Sequence, residues 1–305
     1  MASAAALAVA APAKINLFLH VLGRRADGYH RLDSLIAFAA FGDRVEVTPA
    51  TDLSLVIEGP FAPGLSSGED NLVLRAARAL AAAAGGQVPG AAIRLTKNLP
   101  VASGIGGGSS DAAATLKALD TFWRLGLGGP ALARLGLALG ADVPVCLFGR
   151  TARIAGIGES ITPGPSLPPF GVLLANPAVP VPTAAVFKAL HGRYSAMAPD
   201  APAMESARDL AAWLSQRSND LAEAAVAIAP VIRDVLDALG ATERCLLARL
   251  SGSGATCFAL YPDDQAAAAA ARRISAAHPG WWIAATRFTD TAPAAIAVGS
   301  ATSFE

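Results

Sequence analysis

The stretch LPVASGIGGGSSDAAA at residues 99–114 combines four glycines with two adjacent serines and an alanine-rich continuation. Glycine has no Cβ, so the backbone of such a loop can turn its N–H groups toward a bound anion. Ser109, Ser110 and Asp111 are typical of a first helical turn, where free N–H groups and the helix dipole attract phosphate. The stretch therefore predicts a cradle for the phosphates of a nucleoside triphosphate.

Three other interpretations of this loop can be compared with the sequence. A flexible surface loop has the same composition and stays open as an alternative. A Walker A loop ends in a lysine followed by serine or threonine, and no lysine stands between Lys97 and Lys117, which excludes it. A dinucleotide fingerprint requires a third glycine where Ser109 stands, and Pro100 separates the loop from the strand-like residues 93–97.

Length and composition indicate a globular protein with room for two domains. The chain has 305 residues, of which 53% are hydrophobic and 16% are charged. Its 24 basic and 24 acidic residues give a formal net charge of zero. This balance favours neither nucleic acid nor an anionic membrane as the main partner, so any anion site must be local.

Cysteine usage and the N-terminal segment predict a cytoplasmic protein. Cys146, Cys245 and Cys257 are too few and too scattered for a disulfide framework or a zinc site, and their apolar surroundings indicate buried thiols. The apolar residues 2–12 lack the basic start of a targeting signal and run directly into a predicted strand. No apolar run approaches the length of a membrane span.

The order of patterns along the chain predicts an α+β fold with a domain boundary near residue 165. The first half shows alternating or β-branched runs, predicted as strands at 15–22, 34–41, 44–48, 53–57 and 93–96. Helical spacing predicts helices at 71–84, 109–125 and 132–139. After a proline-rich linker, the second half is predicted as a strand at 172–175, a helix at 220–239, strands at 245–250 and 256–261, a helix at 264–277 and a strand at 281–288.

Polar residues in the N-terminal apolar run are the next candidates for function. Lys14 and Asn16 fall on the same face of a strand, because side chains alternate along it. A lysine in such surroundings needs a counter-charge or a shifted pKa, although a lysine that protects an edge strand is the alternative. Tyr29 and His30 place an aromatic face beside a titratable ring, with a turn aromatic and a surface histidine as the simpler interpretations.

Two further segments carry polar residues or glycines in apolar surroundings. Asp142 stands at the entry to residues 143–149, which read as a buried strand, and is either a cap or a catalytic base. Gly252 and Gly254 lie between two predicted strands. They form an ordinary hairpin turn or a second backbone surface beside the phosphates.

Taken together, these segments resemble the GHMP kinases, which act on galactose, homoserine, mevalonate and phosphomevalonate. The resemblance is closer to the branch of the non-mevalonate isoprenoid pathway whose substrate is a cytidine diphospho sugar alcohol. The DGYH element separates that branch from other GHMP kinases. The segments that carry the resemblance cover almost the whole chain and read PAKINLFLHVLGRRADGYHRLDSL, EDNLVLRAA, KNLPVASGIGGGSSDAAA, LGADVPVCLFG, SNDL and LSGSGATCFAL.

The resemblance implies both the architecture and the reaction. Residues 1–165 would form an ATP-binding domain similar to domain 2 of ribosomal protein S5, and residues 166–305 a ferredoxin-like substrate domain. The implied reaction transfers the γ-phosphoryl of ATP, with Mg²⁺, to the 2-hydroxyl of a methylerythritol unit. A monomer or a homodimer is expected, with small molecules rather than nucleic acid or membrane as partners.

The resemblance also implies roles for individual residues. The catalytic pair would be Lys14 and Asp142. The substrate would be held by Asn16, Tyr29, His30, Phe187, Gly252 and Gly254, with the rings and the histidine at the cytidine. ATP would be bound by Asn71 and Lys97 at the adenine, and by Pro100, Gly104, Gly106, Gly107, Gly108, Ser109 and Ser110. No dedicated carboxylate cage for a metal is visible, and Ser109 or Ser110 could supply a hydroxyl near Mg²⁺.

Three alternatives remain at this point. Another GHMP kinase acting on a small alcohol would share the loop, but Tyr29, His30 and Phe187 would then serve no purpose. A catalytically silent member that senses nucleotide or sugar is disfavoured because Lys14 and Asp142 are both present. A dinucleotide oxidoreductase is the most remote.

Overall fold

Residues 6–190, 192 and 194–298 are described by the computed structural model of the protein. Among them, the strands in chain order are β1 (Leu7–Arg24), β2 (His30–Pro49), β3 (Ser54–Glu58), β4 (Ala91–Thr96), β5 (Ala152–Gly156), β6 (Ser160–Pro163), β7 (Gly171–Asn176), β8 (Leu247–Leu250), β9 (Cys257–Tyr261), β10 (Trp282–Thr286), β11 (Phe288–Thr289) and β12 (Ile296–Ala297). The helices are α1 (Leu72–Ala83), α2 (Gly107–Phe122), α3 (Gly128–Leu139), α4 (Val143–Phe148), α5 (Thr183–Lys188), α6 (Ala207–Ser215), α7 (Ala222–Ile228), α8 (Val231–Gly240) and α9 (Asp264–Ala277).

The strands form two sheets. In the first, the order is β12-β1-β2-β4-β3, with β5 and β11 also paired to β2 and β6 paired to β5. Its pairs are antiparallel except for β3 with β4. The second sheet is antiparallel with the order β10-β7-β9-β8.

Strand β2 is buried on both faces because helices cover one side and the second sheet covers the other. Ile36 and Phe38 belong to the core under α1, α2, α3 and α4. Leu35 and Ala37 alternate with them and belong to a core shared with strands β7 and β9 of the second sheet. On the second sheet, α8 and α9 pack over β7, β8, β9 and β10. The two sheets therefore meet along the middle of β1 and β2.

Strand β1 is irregular where its polar residues lie. Its pairing with β2 shifts register between Pro12 and Lys14 and again between Asn16 and Phe18. Such bulges re-aim side chains and are common beside active sites. Between the two bulges lies the short segment that carries Lys14 and Asn16, and both residues line the cavity at the junction of the sheets.

Several elements match the sequence predictions and several correct them. The helix predicted at 264–277 is α9, and the predicted strands correspond to β1, β2, β3, β4, β7, β8, β9 and β10. The buried strand predicted at 143–149 is wrong, because these residues form helix α4 with a proline in its first turn, a position that proline tolerates. The single helix predicted at 220–239 is two helices, α7 and α8, separated at Pro230.

Two long-range features were not predicted. The strands predicted at 34–41 and 44–48 are one continuous strand, β2. The C-terminal strands β11 and β12 return to the first sheet, where they pair with β2 and β1.

A boundary at residue 165 falls between β6 and β7, and the division into two domains there stays a prediction. Within the described ranges, no helix has both the length and the apolar character needed to cross a bilayer.

The core under α2 should be essential for stability. Leu119 is 0% exposed, whereas Leu137 on α3 is 51% exposed. Replacing Leu119 by alanine leaves a cavity, and we expect a loss of about 2–5 kcal/mol in the free energy of unfolding. Leu137→Ala should change it by only about 0.5 kcal/mol. Urea denaturation measures both, and equal losses would contradict this packing.

Candidate active site

One cavity of about 1080 Å³ lies at the junction of the two sheets. Its walls come from the glycine loop, from β1, from the start of α4 and from α5. Most of the residues predicted for the site line it. They are Lys14, Asn16, Tyr29, His30, Asn71, Lys97, Pro100, Gly104, Gly106, Gly107, Gly108, Ser109, Asp142, Phe187 and Gly252.

The glycine loop ends in the N-terminus of α2. Helix α2 begins at Gly107, and Gly106 occupies the N-cap position with a left-handed φ of 65°. No side chain of the described residues caps this helix, and the first N–H groups of an α-helix have no acceptor within the helix. The N–H groups of its first turn are therefore free for an anion at the cavity wall.

Lys14 lies directly against this loop. Its Nζ is 3.0 Å from Asp142 Oδ2 and donates to Asn16 Oδ1 at 3.0 Å. Its side chain is buried, and a Cβ placed on Gly106 would lie 3.0 Å from Lys14 Cε. Because Lys14 is buried and its N–H donates to the Ile105 carbonyl at 2.9 Å, it is not the exposed, protective edge-strand lysine that was the alternative.

Asp142 serves the lysine rather than the helix. It occupies the N-cap position of α4, but its side chain makes no capping hydrogen bond. Its carboxylate, 39% exposed, instead faces Lys14 and the cavity. Asp142 therefore occupies a cap position without acting as a cap, and its accessible carboxylate lies beside the buried ammonium of Lys14.

A second glycine loop, residues 251–256, connects β8 to β9 and packs against the first. Ser251 Oγ donates to the Gly104 carbonyl at 3.2 Å, and the Thr256 N–H donates to the Ser103 carbonyl at 3.1 Å. A Cβ on Gly104 would lie 2.7 Å from backbone atoms of Ser251 and Gly254. The second loop therefore connects two strands and also packs behind the first glycine loop, residues 98–106, called the phosphate loop below. Gly254 lies in this contact and not on the cavity surface.

Two side chains that sequence reasoning left out fix the second loop. Asn219 donates from Nδ2 to the carbonyls of Leu250 and Gly252 at 2.9 and 2.8 Å. Ser251 Oγ accepts the Asn16 N–H at 3.1 Å, which connects the loop to β1. The SNDL segment was the available signal for Asn219, but nothing local indicated what it bonds.

The far end of the cavity is aromatic. The rings of His30 and Phe187 stack with centroids 5.2 Å apart and an interplanar angle of 26°. Tyr29 is 62% exposed and borders the same space. Burial, aided by the nearby Arg24 guanidinium, lowers the pKa of His30 below its ordinary value. The imidazole is consequently neutral near pH 7 and can both donate and accept a hydrogen bond.

Ser110 is not placed as its predicted role requires. Its hydroxyl donates to the Pro12 carbonyl at 2.7 Å and its N–H donates to the Gly106 carbonyl. The side chain is buried beside Cys146, outside the cavity lining. Of the two serines suggested for a phosphate or Mg²⁺, only Ser109 faces the cavity.

Asn71 and Lys97, predicted at the adenine, both make hydrogen bonds within the fold. Asn71 Oδ1 accepts the Val73 N–H at 2.9 Å and its Nδ2 donates to the Ser66 carbonyl at 2.7 Å, so the amide caps α1. Lys97 donates to the carboxylates of Asp43 and Asp111, and both partners are buried. The Asn71 amide and the Lys97 ammonium each keep one N–H that is not donated to any described residue, and both residues line the cavity.

The buried carboxylates shift the ionisation of the Lys97 cluster. Burial alone would lower the pKa of Lys97, but Asp111 and Asp43 more than reverse this and hold it above its ordinary value. Burial raises the pKa of Asp111 above its ordinary value, with Lys97 opposing the shift and Asp43 adding to it. Among the described residues, no group of three or more histidines, cysteines, aspartates or glutamates could hold a metal ion.

Comparison with known proteins gives consistent matches. Family models match residues 71–150 (GHMP kinases N terminal domain) and residues 198–280 (GHMP kinases C terminal). The 4-diphosphocytidyl-2-C-methyl-D-erythritol kinase of Paramagnetospirillum magneticum is 54% identical over 90% of this chain and 96% of its own. The relative of that name from Cereibacter sphaeroides (strain ATCC 17025 / ATH 2.4.3) is 56% identical over 91% and 97%.

A solved structure supports the same conclusion. A crystal structure of 4-(cytidine 5'-diphospho)-2C-methyl-D-erythritol kinase, 34% identical to this chain, matches it with a TM-score of 0.77. The match covers 93% of this chain and 100% of the other. Together with the family models, it confirms the predicted α+β architecture of N- and C-terminal kinase domains.

The contact between the two glycine loops should be required for activity. Gly104 has a φ of +75° and no room for a Cβ, whereas Gly85 has a φ of +81° and open space where a Cβ would lie. Gly104→Ala must displace the phosphate loop, and a displacement of about 1 Å in a positioned site costs on the order of a hundredfold in kcat/KM.

Gly85→Ala is the matched control. It carries a similar left-handed strain of about 1–2 kcal/mol without a neighbour to clash with. Steady-state kinetics and thermal unfolding of both variants separate the effects. Equal activity of the two variants would contradict the proposed importance of the contact.

Proposed function

The chain belongs to the family of 4-diphosphocytidyl-2-C-methyl-D-erythritol kinases within the GHMP kinases, and from this membership we propose how its site residues act. It is an ATP-dependent phosphotransferase with an alcohol group as acceptor. Its reaction is transfer of the γ-phosphoryl of ATP to the 2-hydroxyl of the cytidine diphospho alcohol, a step of the non-mevalonate isoprenoid pathway.

The observation that carries the assignment of roles is the pair formed by Lys14 and Asp142. The two groups are 3.0 Å apart in a cavity that also contains the N-terminus of α2 and the stacked rings at its far end. A cavity of about 1080 Å³ is at the upper limit for one drug-sized ligand. It is suited to hold ATP and a second nucleotide-like substrate together.

Asp142 is the proposed general base. Phosphoryl transfer needs its reactants positioned in line, its phosphoryl charge stabilised and one proton removed from the attacking alcohol. The Asp142 carboxylate is accessible from the cavity and accepts that proton. Lys14 stabilises the negative charge of the developing alkoxide through its buried ammonium.

The phosphate loop and Ser109 are proposed to hold the triphosphate. The free N–H groups at the start of α2 bind phosphate oxygens, and Gly104 and Gly106 let the backbone approach them. Ser109 lines the cavity, and a serine hydroxyl there suits Mg²⁺, which prefers few protein oxygens together with phosphates. When bound, Mg²⁺ would offset the negative charge of the phosphates.

His30, Phe187 and Tyr29 are proposed to recognise the cytosine. Phe187 and Tyr29 offer aromatic faces for stacking, and the neutral imidazole of His30 offers a donor and an acceptor. Asn16 is held by Ser34, to which its Nδ2 donates at 2.8 Å. Its fixed amide lies beside Lys14, where the alcohol must bind.

An assay with separate arms tests the function against its alternatives. The purified chain is incubated with ATP, Mg²⁺ and the cytidine diphospho alcohol, and the product is examined by phosphorus NMR. The expected product carries a new phosphomonoester on the 2-hydroxyl. Turnover of mevalonate or homoserine instead would indicate another GHMP kinase, and tight binding without turnover would indicate a sensor.

Replacing Asp142 by asparagine should affect turnover selectively. Loss of a general base lowers kcat by about 10²- to 10⁴-fold, while the dissociation constant of ATP should stay close to that of the wild type. Rapid-quench kinetics and calorimetry measure the two quantities. An equal loss of ATP affinity would show that Asp142 binds rather than activates.

The control for this variant is Asp263→Asn. Asp263 is also a half-exposed carboxylate in an ion pair, with Arg244 at 2.8 Å, but it lies outside the cavity. Asparagine preserves its role as the N-cap of α9. Its kcat should equal that of the wild type.

A further inference from the structure

Three buried charged side chains lie at the base of the phosphate loop. They are Asp43 of β2, Lys97 directly after β4 and Asp111 of α2, and each is at most 4% exposed. The Lys97 ammonium contacts the Asp43 carboxylate and lies 2.9 Å from Asp111 Oδ2. Because Lys97 precedes residues 98–110 and Asp111 follows them, their ion pair closes the loop at its base.

Asp43 fixes the entry to the same loop. Its Oδ1 accepts the N–H groups of Asn98 and Leu99 at 2.6 and 2.8 Å. Asn98 also donates from Nδ2 to the Gly42 carbonyl at 3.0 Å. The start of the loop is thereby attached to β2, which pairs with the strand that carries Lys14.

The cluster lies directly beneath the expected phosphate site. A Cβ on Gly107 would be 3.3 Å from Lys97 Nζ and 3.7 Å from Asp43 Oδ2. Gly107 is the first residue of α2, where the free N–H groups begin. Lys97, Gly107 and Asp111 all border the cavity.

Stability alone does not account for this arrangement. Two carboxylates share one ammonium, and Asp111 Oδ1 is buried without a hydrogen-bond partner among the described residues. A buried polar atom left without a partner costs free energy, and buried ion pairs contribute little net stability. The placement of the three groups at the two ends of one loop suggests a different purpose.

We infer that Asp43, Lys97 and Asp111 are positioning residues, which hold the phosphate loop in its ATP-binding geometry before ATP arrives. The inference rests on the proposed function, since ATP is the ligand concerned. A loop that is already ordered avoids the ordering cost that binding would otherwise carry. These three residues, called the clamp below, are distinct from Lys14 and Asp142, whose proposed roles do not depend on them.

Calorimetric titration of the full chain with ATP and, separately, with the cytidine substrate tests the inference. Asp111→Ala should raise the dissociation constant of ATP by about 10- to 100-fold, the size expected for a hydrogen bond to a charged group. The constant for the cytidine substrate should change by no more than about twofold. Asp111→Asn keeps an acceptor for Lys97 and should restore ATP binding.

Asp33→Ala is the matched control. Asp33 is 0% exposed and accepts from Arg153 Nε and NH2 at 2.7 and 2.9 Å, away from the phosphate loop. Its loss should lower the melting temperature and leave ATP affinity within about twofold of the wild type. ATP affinity of Asp111→Ala equal to the wild type, or an equal loss in Asp33→Ala, would overturn the inference.

Hydrogen exchange of the wild-type protein gives a second test that needs no variant. The amides of Asn98 and Leu99 should be protected in the nucleotide-free protein, because both donate to the Asp43 carboxylate. Fast exchange there, with protection only after ATP is added, would also overturn the inference. Failure of the kinase assay would instead contradict the proposed function and would leave both ATP-binding readouts measurable.

Discussion

The close approach of two glycine-containing loops is the contact on which the site depends. Gly104 faces Ser251 and Gly254 at a distance that leaves no room for a Cβ. Backbone atoms can pack so tightly only where both sides lack bulk and their polar groups are hydrogen-bonded. This contact joins the loop that precedes α2 to the hairpin of the second sheet. It thereby sets where the free N–H groups of α2 lie relative to β1.

Buried charges are the second constraint, and they occur in partnered groups. Lys14 is satisfied by Asp142 and Asn16, and Lys97 by Asp43 and Asp111. Isolated burial of either lysine would be costly, so each requires a carboxylate that a different element holds in place. Lys14, Asp142, Lys97 and Asp111 all line the cavity, so part of its wall is charged. Such preorganised charge is what phosphoryl transfer requires.

The two lysines also separate the tasks of the site. Lys14 has its ammonium next to an accessible carboxylate, and we propose that the alcohol is activated there. The Lys97 ammonium is enclosed by carboxylates beneath the loop, where we infer that it fixes the loop's geometry. At the other end, a neutral His30 stacks on Phe187, and we propose that the pair recognises the base without adding charge. The proposed roles in chemistry, nucleotide geometry and base recognition thus fall in three parts of one cavity.

The local hydrophobic pattern predicted many helices and strands correctly, but it failed where tertiary packing decides the secondary structure. Helix α9 and the strands beside the second glycine loop follow their hydrophobic periodicity. Residues 143–149 are a short apolar run, which periodicity cannot assign, and packing beside α3 made most of them a helix. The return of β11 and β12 to the first sheet has no local signal, because strand pairing across such a distance is a property of the whole fold.

The sequence by itself determined the loop that can approach phosphate, the helix that follows it and the residue types available for catalysis and base stacking. Glycine spacing, helix-start residues and the period of a strand are local properties, so they can be read without coordinates. Only the tertiary structure decided which charges meet. The partners Asp43 and Lys97 are 54 residues apart, and Ser110 turned from the loop into the core. Contacts of that kind depend on how the sheets and helices pack, which no short segment encodes.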